Sequence, residues 1–478
     1  MAQPLVEPCS RGVVEAQPCP RELGREIAPG HRRMVLAACV VASSMVFIDG
    51  SVLTVALPNL RADLGADLVS VQWVLNGYLL ALASLSLIGG ALADRLGKAR
   101  VLSAGCLLFG AASAACALAP TAGSLIGARV VQGIAAALIA PASLALIGAV
   151  YPRDERTRAI GVWAAASALT TAGGPVLGGW LTEIYGWQLV FWINPPLALI
   201  AVAVLATFAP ADHRETRQFD VIGAVILAAA LAALAWALSQ VGEGSNAPAA
   251  SASAAISTVV AGLGIGGLVS YAFWERASAH PMTPPRLARN RPFVGLNVAT
   301  VLIYGAASIM FFLLPFELVD RRGLSATEAG MAFLPFTLAV GILSRLFGSL
   351  ADSIGARAPL VWGSVGATFA YVWMALGREG SLEIGVLVPM TLLGVAFALI
   401  AAPITAAVLS SVEQADEGTA SGINNAVSRI AQLVGVALAA GIGSVVSGYW
   451  VGLGVASLLS LAAAGVLLAS APPKTANA

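Results

Sequence analysis

Fourteen stretches of this chain are almost continuously apolar, and short polar segments separate them. They are Met34–Leu60, Val71–Leu92, Val101–Ala119, Ser124–Val150, Ile160–Leu181, Leu189–Ala209, Val221–Gln240, Ala252–Trp274, Phe293–Leu318, Ala329–Leu350, Pro359–Leu376, Ile384–Ser410, Ser421–Val446 and Tyr449–Ser470. A helix needs about 20 apolar residues to cross the hydrocarbon of a bilayer, so each run predicts one membrane-spanning helix. The fold class that follows is all-α and integral to the membrane. Between the last two runs only Ser447 and Gly448 remain to make the turn.

The polar segments are not alike. With the N-terminus placed inside, 19 of the 26 lysines and arginines fall in inward segments. Four fall outside (Arg61, Arg321, Arg322, Arg378) and three lie within runs (Arg129, Arg345, Arg429). An excess of Lys and Arg marks the cytoplasmic side. Both termini are therefore expected in the cytoplasm, as an even number of spans requires. Arg32-Arg33 stands directly before the first run and reads as a cytoplasmic anchor rather than a twin-arginine export signal. The first 33 residues are too long and too charged for the basic start of a secretion signal.

The chain also repeats. Gly90-Ala-Leu-Ala-Asp94-Arg95-Leu-Gly97 returns 258 residues later as Gly348-Ser-Leu-Ala-Asp352-Ser-Ile-Gly355, and Ala140-Pro141 returns after 262 as Ala402-Pro403. Setting aside the 83 residues of 210–292, which hold two runs, leaves an offset of 175, room for six spans and their loops. The expected organisation is a cytoplasmic tail at 1–33, a six-helix bundle at 34–209 and a linker with two extra helices at 210–292. A second six-helix bundle at 293–470 and a tail at 471–478 complete it. Parallel repeats of this kind are a feature of transporters.

Composition narrows the function. Hydrophobic residues make up 58% and charged residues 11%, and the mean hydropathy is +0.85. A soluble domain carries about 25% charged residues, so a soluble globule and a disordered chain are both excluded. The formal net charge of +1 argues against a nucleic-acid partner. The two lysines, Lys98 before Ala99 and Lys474 after Pro473, cannot complete a phosphate-binding Gly-Lys-Ser/Thr loop, so no nucleotide is expected. His31, His213 and His280 lie far apart, and no Cys-x-x-Cys occurs among Cys9, Cys19, Cys39, Cys106 and Cys116. No metal, no other cofactor and no enzymatic centre is expected.

Charge inside the runs is where function is expected, because an ionisable group near the bilayer middle is costly and kept for a purpose. Asp49 lies about ten residues, or about 15 Å, from the outer end of its span. Arg129 is within a turn or two of the same depth, so the two can pair directly or through a substrate. Glu317, after Pro315, reads equally as an interfacial residue or as an acid of an outer gate, and Glu183 reads as interfacial. Arg429 follows Asn424-Asn425 deep in the thirteenth run and reads as lining a cavity or pairing between bundles. Asp49 is the only acid near the middle of any run. Arginine stays protonated, so a carrier that exchanges protons would do so at Asp49, with Glu317 next in line.

The loop Gly90–Arg100 resembles the loop motif of the major facilitator superfamily. Further motifs are similar to those of its fourteen-span drug:proton antiporter branch. Asp49-Gly-Ser-Val-Leu-Thr-Val-Ala-Leu-Pro58 resembles the first-span motif, with Ser51 and Thr54 where Thr and Asn are usual. Gln72-Trp73 and Tyr78 match the second span, Arg129-Val-Val-Gln132-Gly133 the fourth, and Gly174-Pro175-Val-Leu-Gly178-Gly179 the fifth-span antiporter motif. Trp187-Gln188, Phe191 and Asn194-Pro195 follow, with Gln188 where the branch has arginine; Gly323, Ser325, Gly330 and Pro335 fit the later half.

The resemblance implies a major facilitator fold of two six-helix bundles plus two extra linker helices, fourteen transmembrane helices in all. It implies proton-coupled secondary antiport that exports amphipathic, cationic or neutral, drugs or antibiotics across the inner (cytoplasmic) membrane by alternating access. Asp49, Arg129 and Glu317 would serve proton coupling and substrate. Gly90, Asp94, Arg95, Gly97 and Asp352 would form a loop latch, weaker in the second copy, where Ser353 and Ala356 replace charges. Gly174, Pro175, Gly178 and Gly179 would seal helices backbone to backbone, and Gln132, Gly133 and Arg429 would sit at the bundle interface. The partners are a small-molecule substrate, protons and the lipid bilayer, and a monomer is expected. A dedicated exporter of one endogenous metabolite or antibiotic is the alternative within this class. A channel is the alternative outside it, and would need a ring of like polar residues and no repeated latch.

Overall fold

The structure, a computed structural model, describes residues 27–210, 220–239, 250–278, 285–377, 380–413, 417–443 and 448–470. The expected tails at 1–33 and 471–478 and the loops flanking the seventh run lie mostly outside these residues. The long helices among the described residues are α1 Pro29–Asp63, α2 Leu68–Leu96, α3 Lys98–Ala117, α4 Ala122–Val150, α5 Arg153–Tyr185, α6 Asn194–Phe208 and α7 Val221–Ser239. They continue as α8 Ala250–Ala277, α9 Arg291–Phe316, α10 Leu334–Ile354, α11 Arg357–Leu376, α12 Val388–Ser410, α13 Glu417–Gly443 and α14 Gly448–Ser470. Among the described residues, twelve helical segments are long and apolar enough to cross a membrane. The fifth and seventh predicted runs fall on α5, whose first turns are charged, and on the short α7.

Local chemistry sets the helix ends. The Asp67 carboxylate accepts the Ser70 N–H at 2.7 Å and starts α2, Thr121 and Ser124 cap α4 reciprocally, and Asn290 accepts the Phe293 N–H at 3.1 Å to start α9. Gly97 (φ 109°) and Gly355 (φ 89°) end α2 and α10 in the same left-handed backbone, which a side chain would disfavour. Both copies of the repeated loop therefore turn alike.

The repeat extends to packing. In the first half α2 packs on α4, α1 on α5, and α3 on α4 and α6; in the second, α10 packs on α12, α9 on α13, and α11 on α12 and α14. The small residues that allow these contacts are also repeated. Gly133 meets the Tyr78 backbone where Gly394 meets that of Phe336, and Gly105 meets Leu138 and Ile139 where Gly363 meets Leu399 and Ile400. Lipid tails are as apolar as leucine, so close packing at such positions, rather than hydrophobic burial, holds membrane helices together.

The two halves close on one another at the end where Gly65, Gly186 and Gly323 turn the chain. One apolar cluster there runs from Leu57, Leu60, Val74 and Leu125 to Phe312, Leu313, Val436 and Ala440. The short helix Ala326–Met331 lies against α5. A Cβ on Gly179 would overlap the Ala326 carbonyl, and one on Gly330 the Pro175 carbonyl. The Thr327 N–H donates to Glu183 at 3.0 Å, and Arg61 pairs with Asp320 at 3.7 Å. Among the described residues no apolar cluster joins the halves at the opposite, Gly97 end. The two linker helices pack on each other, and α7 lies along the seam, touching both α2 and α13 through Leu227 and Leu231 with Trp73, Leu79 and Leu433.

Candidate functional site

Five long helices of the first half converge on Asp49. Its carboxylate pairs with the Arg129 guanidinium, and neither side chain reaches the surface. Arg129 and Gln132 share a face of α4 through their i, i+3 spacing. Arg129 Nε donates to the Val74 carbonyl at 3.0 Å and its Nη1 to Gln132 Oε1 at 2.8 Å. Gln132 Nε2 donates to Asp49 Oδ1 at 2.8 Å. Asn194, at the start of α6, donates to Ser113 Oγ at 2.9 Å and more distantly, at 3.4 Å, to Asp49 Oδ1. Ser113 on α3 donates to the Phe191 carbonyl at 2.8 Å. The Tyr78 ring lies 4.2 Å from the guanidinium carbon, and its hydroxyl donates to the Val46 carbonyl at 3.0 Å. A buried charge needs an opposite charge and hydrogen bonds to be tolerated, and this network supplies both.

A second arginine enters the middle of the molecule from the other half. Arg429 on α13 stands 5.9 Å from the centre of the Phe47 ring on α1. Other aromatic pairs are formed by rings of both halves. Phe47 meets Trp163 edge-on at 6.1 Å, Tyr304 meets Phe397 at 6.3 Å, and Phe336 meets Phe397 at 5.5 Å. Trp163 is held by its donation to Ser43 Oγ at 2.8 Å.

The remaining candidates are dispersed. Gln132 and Gly133, expected between the bundles, lie inside the first: α4 packs on α2 there, so Gly133 faces Tyr78 and Gln132 bridges Asp49 and Ser113. Glu317 opens a π-helical turn, Glu317–Arg321, at the Gly186 end. Its partners include Arg321 at 2.5 Å and Arg322 at 3.9 Å, neither of which belongs to the Asp49 network. Gly174 and Gly178 meet α1 at Ser51 and Val52, while Gly179 and the Pro175 carbonyl meet the second half. A Cβ on Gly90 would stand 3.6 Å from Pro141, an ordinary contact, and Arg95 is exposed. The side chains of Asp94 and Asp352 lie outside the described residues.

Sequence reasoning does not single out Ser113, Asn194, Phe47 or Trp163 as site residues. Asn194 carries a usable signal, an amide within an apolar run beside a matched proline. Ser113 carries none, since a serine in a helix is ordinarily satisfied by its own turn. Gln188, which replaces the usual arginine, donates to Asp63 at 3.3 Å beside the Trp187 indole at 2.8 Å, so the substituted position still ties the start of the sixth span to the end of α1.

Residues 39–435 match the profile of the Major Facilitator Superfamily, with a second, overlapping match at 296–478. The chain is 32% identical over 419 residues to the multidrug resistance protein Stp of Mycobacterium tuberculosis, covering 87% of this chain and 76% of that protein. It is 33% identical over 424 residues to the cephamycin export protein CmcT of Amycolatopsis lactamdurans (87% and 86% covered). It is 30% identical over 424 residues to the tetracenomycin C resistance and export protein of Streptomyces glaucescens (87% and 77% covered). In three dimensions it is similar to the crystal structure of the peptide transporter POT in complex with sulfate, with a TM-score of 0.69 over 94% of this chain and 98% of that one. At 15% identity that likeness concerns the fold alone.

Proposed function

The chain belongs to the Major Facilitator Superfamily and is a multi-pass membrane transporter, not an enzyme, and from that premise we propose that it is a proton-coupled antiporter exporting amphipathic drugs or antibiotics across the cytoplasmic membrane. The observation that carries the coupling is the fully buried Asp49–Arg129 pair, which joins α1 to α4. When ionised, Asp49 ties α1 to α4 through a charge-assisted bond and the Gln132 amide. When protonated it loses the ion pair with Arg129, and its bond with Gln132 becomes a neutral one, roughly half as strong. Taking up a proton from one side therefore loosens the tie, and releasing it to the other restores it. Arg129 stays charged throughout, held by the Tyr78 ring, the Val74 carbonyl and Gln132.

In this reading the Gly97 end, where the arginines concentrate, faces the cytoplasm, and the sealed Gly186 end faces outward. The observed arrangement receives cargo from the cytoplasm, and rocking of the two six-helix bundles, 34–209 and 293–470, delivers it. The carrier acts as a monomer. The names of the relatives support drug or antibiotic export. Two of them name one antibiotic or antibiotic group each, which favours as a second reading a dedicated exporter of one antibiotic or metabolite.

Two experiments test the proposal. Growth of an efflux-deficient host expressing the chain, across a panel of toxic compounds, is expected to improve for several structural classes. Rescue from one class alone establishes the dedicated exporter, and rescue from none overturns export. In proteoliposomes, Asp49→Asn is expected to remain folded and inserted yet to abolish accumulation driven by a pH gradient. Uphill accumulation at the wild-type rate would place the coupling group elsewhere, with Glu317 the next to test.

A further inference from the structure

We infer that the middle of this transporter holds an anion-binding subsite centred on Arg429, so that its favoured cargo is an amphipathic molecule bearing a carboxylate or similar anionic group. The inference rests on the exporter reading above and replaces the cationic or neutral cargo expected from resemblance.

The charge balance comes first. Asp49 is committed to Arg129, and the two cancel inside the first half. Glu317 is engaged by arginines at the Gly186 end. Arg429 has no carboxylate partner among the described residues; the ring recorded against it is that of Phe47, 5.9 Å away. Arg345, in the middle of α10, is exposed and also without an ion pair among the described residues. An arginine at that depth facing hydrocarbon is costly, so Arg345 belongs to a water-accessible space. On its face of α10 lie Gly341 and Gly348 together with the exposed Leu338 and Ile342. The uncompensated charge at mid-depth is therefore positive and comes from both sides of the second half.

The surroundings add shape. Phe47, half-buried, offers its ring to Arg429 at 5.9 Å, and the half-buried Trp163 meets Phe47 edge-on at 6.1 Å, extending the aromatic wall on the first half's side. Asn425, one turn before Arg429 on the same face of α13, is exposed and supplies a neutral amide. A planar guanidinium matches a carboxylate with two parallel hydrogen bonds, and the rings match an apolar body. A cationic amphiphile would meet the same rings with like charge opposite it, which disfavours that partner.

The purified full-length protein in detergent micelles, titrated by fluorescence with a dansyl-labelled fatty acid and with its methyl ester, tests this. The wild type is expected to bind the acid about tenfold more tightly than the ester, the size of one charge-assisted hydrogen bond. Arg429→Gln is expected to remove the preference by weakening the acid alone, leaving ester affinity unchanged. Arg429→Lys, which keeps the charge, is expected to retain part of it. Equal wild-type affinities, no binding of either probe, or a preference that survives in Arg429→Gln each overturns the subsite. Should Arg429→Gln bind neither probe through misfolding, the lysine variant decides: retained preference supports the subsite and lost preference overturns it. Failure of the exporter reading has a separate signature, the absence of any rescue in the growth panel.

Discussion

Arg129 lies wholly inside the protein beside a carboxylate that is equally enclosed. Truncating one member of such a pair leaves the other uncompensated, at a cost of about 3–5 kcal/mol. Arg129→Gln is therefore expected to lower the apparent stability in detergent by about that amount. The double variant Asp49→Asn/Arg129→Gln, which removes both charges, is expected to recover most of the loss, because two amides can bond to Gln132 and Asn194 without an unpaired ion. Thermal unfolding of the four proteins completes the cycle. Additive losses would show that the two side chains do not act as a unit. The same geometry explains why a lone aspartate in an apolar run is retained. It is bonded by residues from α4 and α6, and each of those also holds Ser113.

The Gly174–Gly179 segment acts through what it lacks. Gly174 and Gly178 let α5 lie against α1, while Gly179 and Gly330 let it meet the helix Ala326–Met331 of the other half. A branched side chain at Gly179 has to displace the Ala326 backbone, so Gly179→Val is expected to loosen the seal at the Gly186 end. A membrane-impermeant maleimide applied outside should then label a cysteine introduced at Ser51 faster than in the parent carrying only that cysteine. Unchanged labelling would show that the seal does not depend on this contact. The repeated loop makes a different prediction. Gly97 and Gly355 adopt the same turn, but the second copy has Ser353 and Ala356 where the first has Arg95 and Lys98. Asp94→Asn is accordingly expected to slow transport more than Asp352→Asn at matched expression, and equal defects would make the loops equivalent.

At the level of the entire chain, the halves meet at one end and α7 is laid along their seam. Under the proposed rocking of the bundles, a helix that touches both α2 and α13 would slide on at least one of them, which would couple the linker to the cycle. Its path through the membrane is testable. The segment 243–253 has no Lys or Arg, whereas 276–291 carries four arginines. Single cysteines at Ser251 and Ser278 are expected to be labelled from opposite faces, outside and cytoplasmic respectively. Labelling of both from one face would remove the two linker spans from the topology.

Hydropathy was enough for the helices and their order, because a backbone in hydrocarbon has to satisfy its own hydrogen bonds and so forms apolar helices of fixed length, and the recurring Gly90–Gly97 motif was enough for the repeat. The same rule made Asp49, Arg129 and Arg429 conspicuous, and equal depth was enough to suggest that the first two pair. The rotation of each helix about its axis was not legible. A run that is apolar on every face gives no period from which to tell lipid from protein, and packing of small residues settles it instead. That is why Gly133 and Gln132 turned inward to the first half, why Ser113 and Asn194 joined Asp49 unannounced, and why Glu317 went to its own arginines. Only tertiary packing decided which end of the two bundles is shut, where the linker helices sit, and that Arg429 reaches across to Phe47 without a carboxylate among the described residues to meet it.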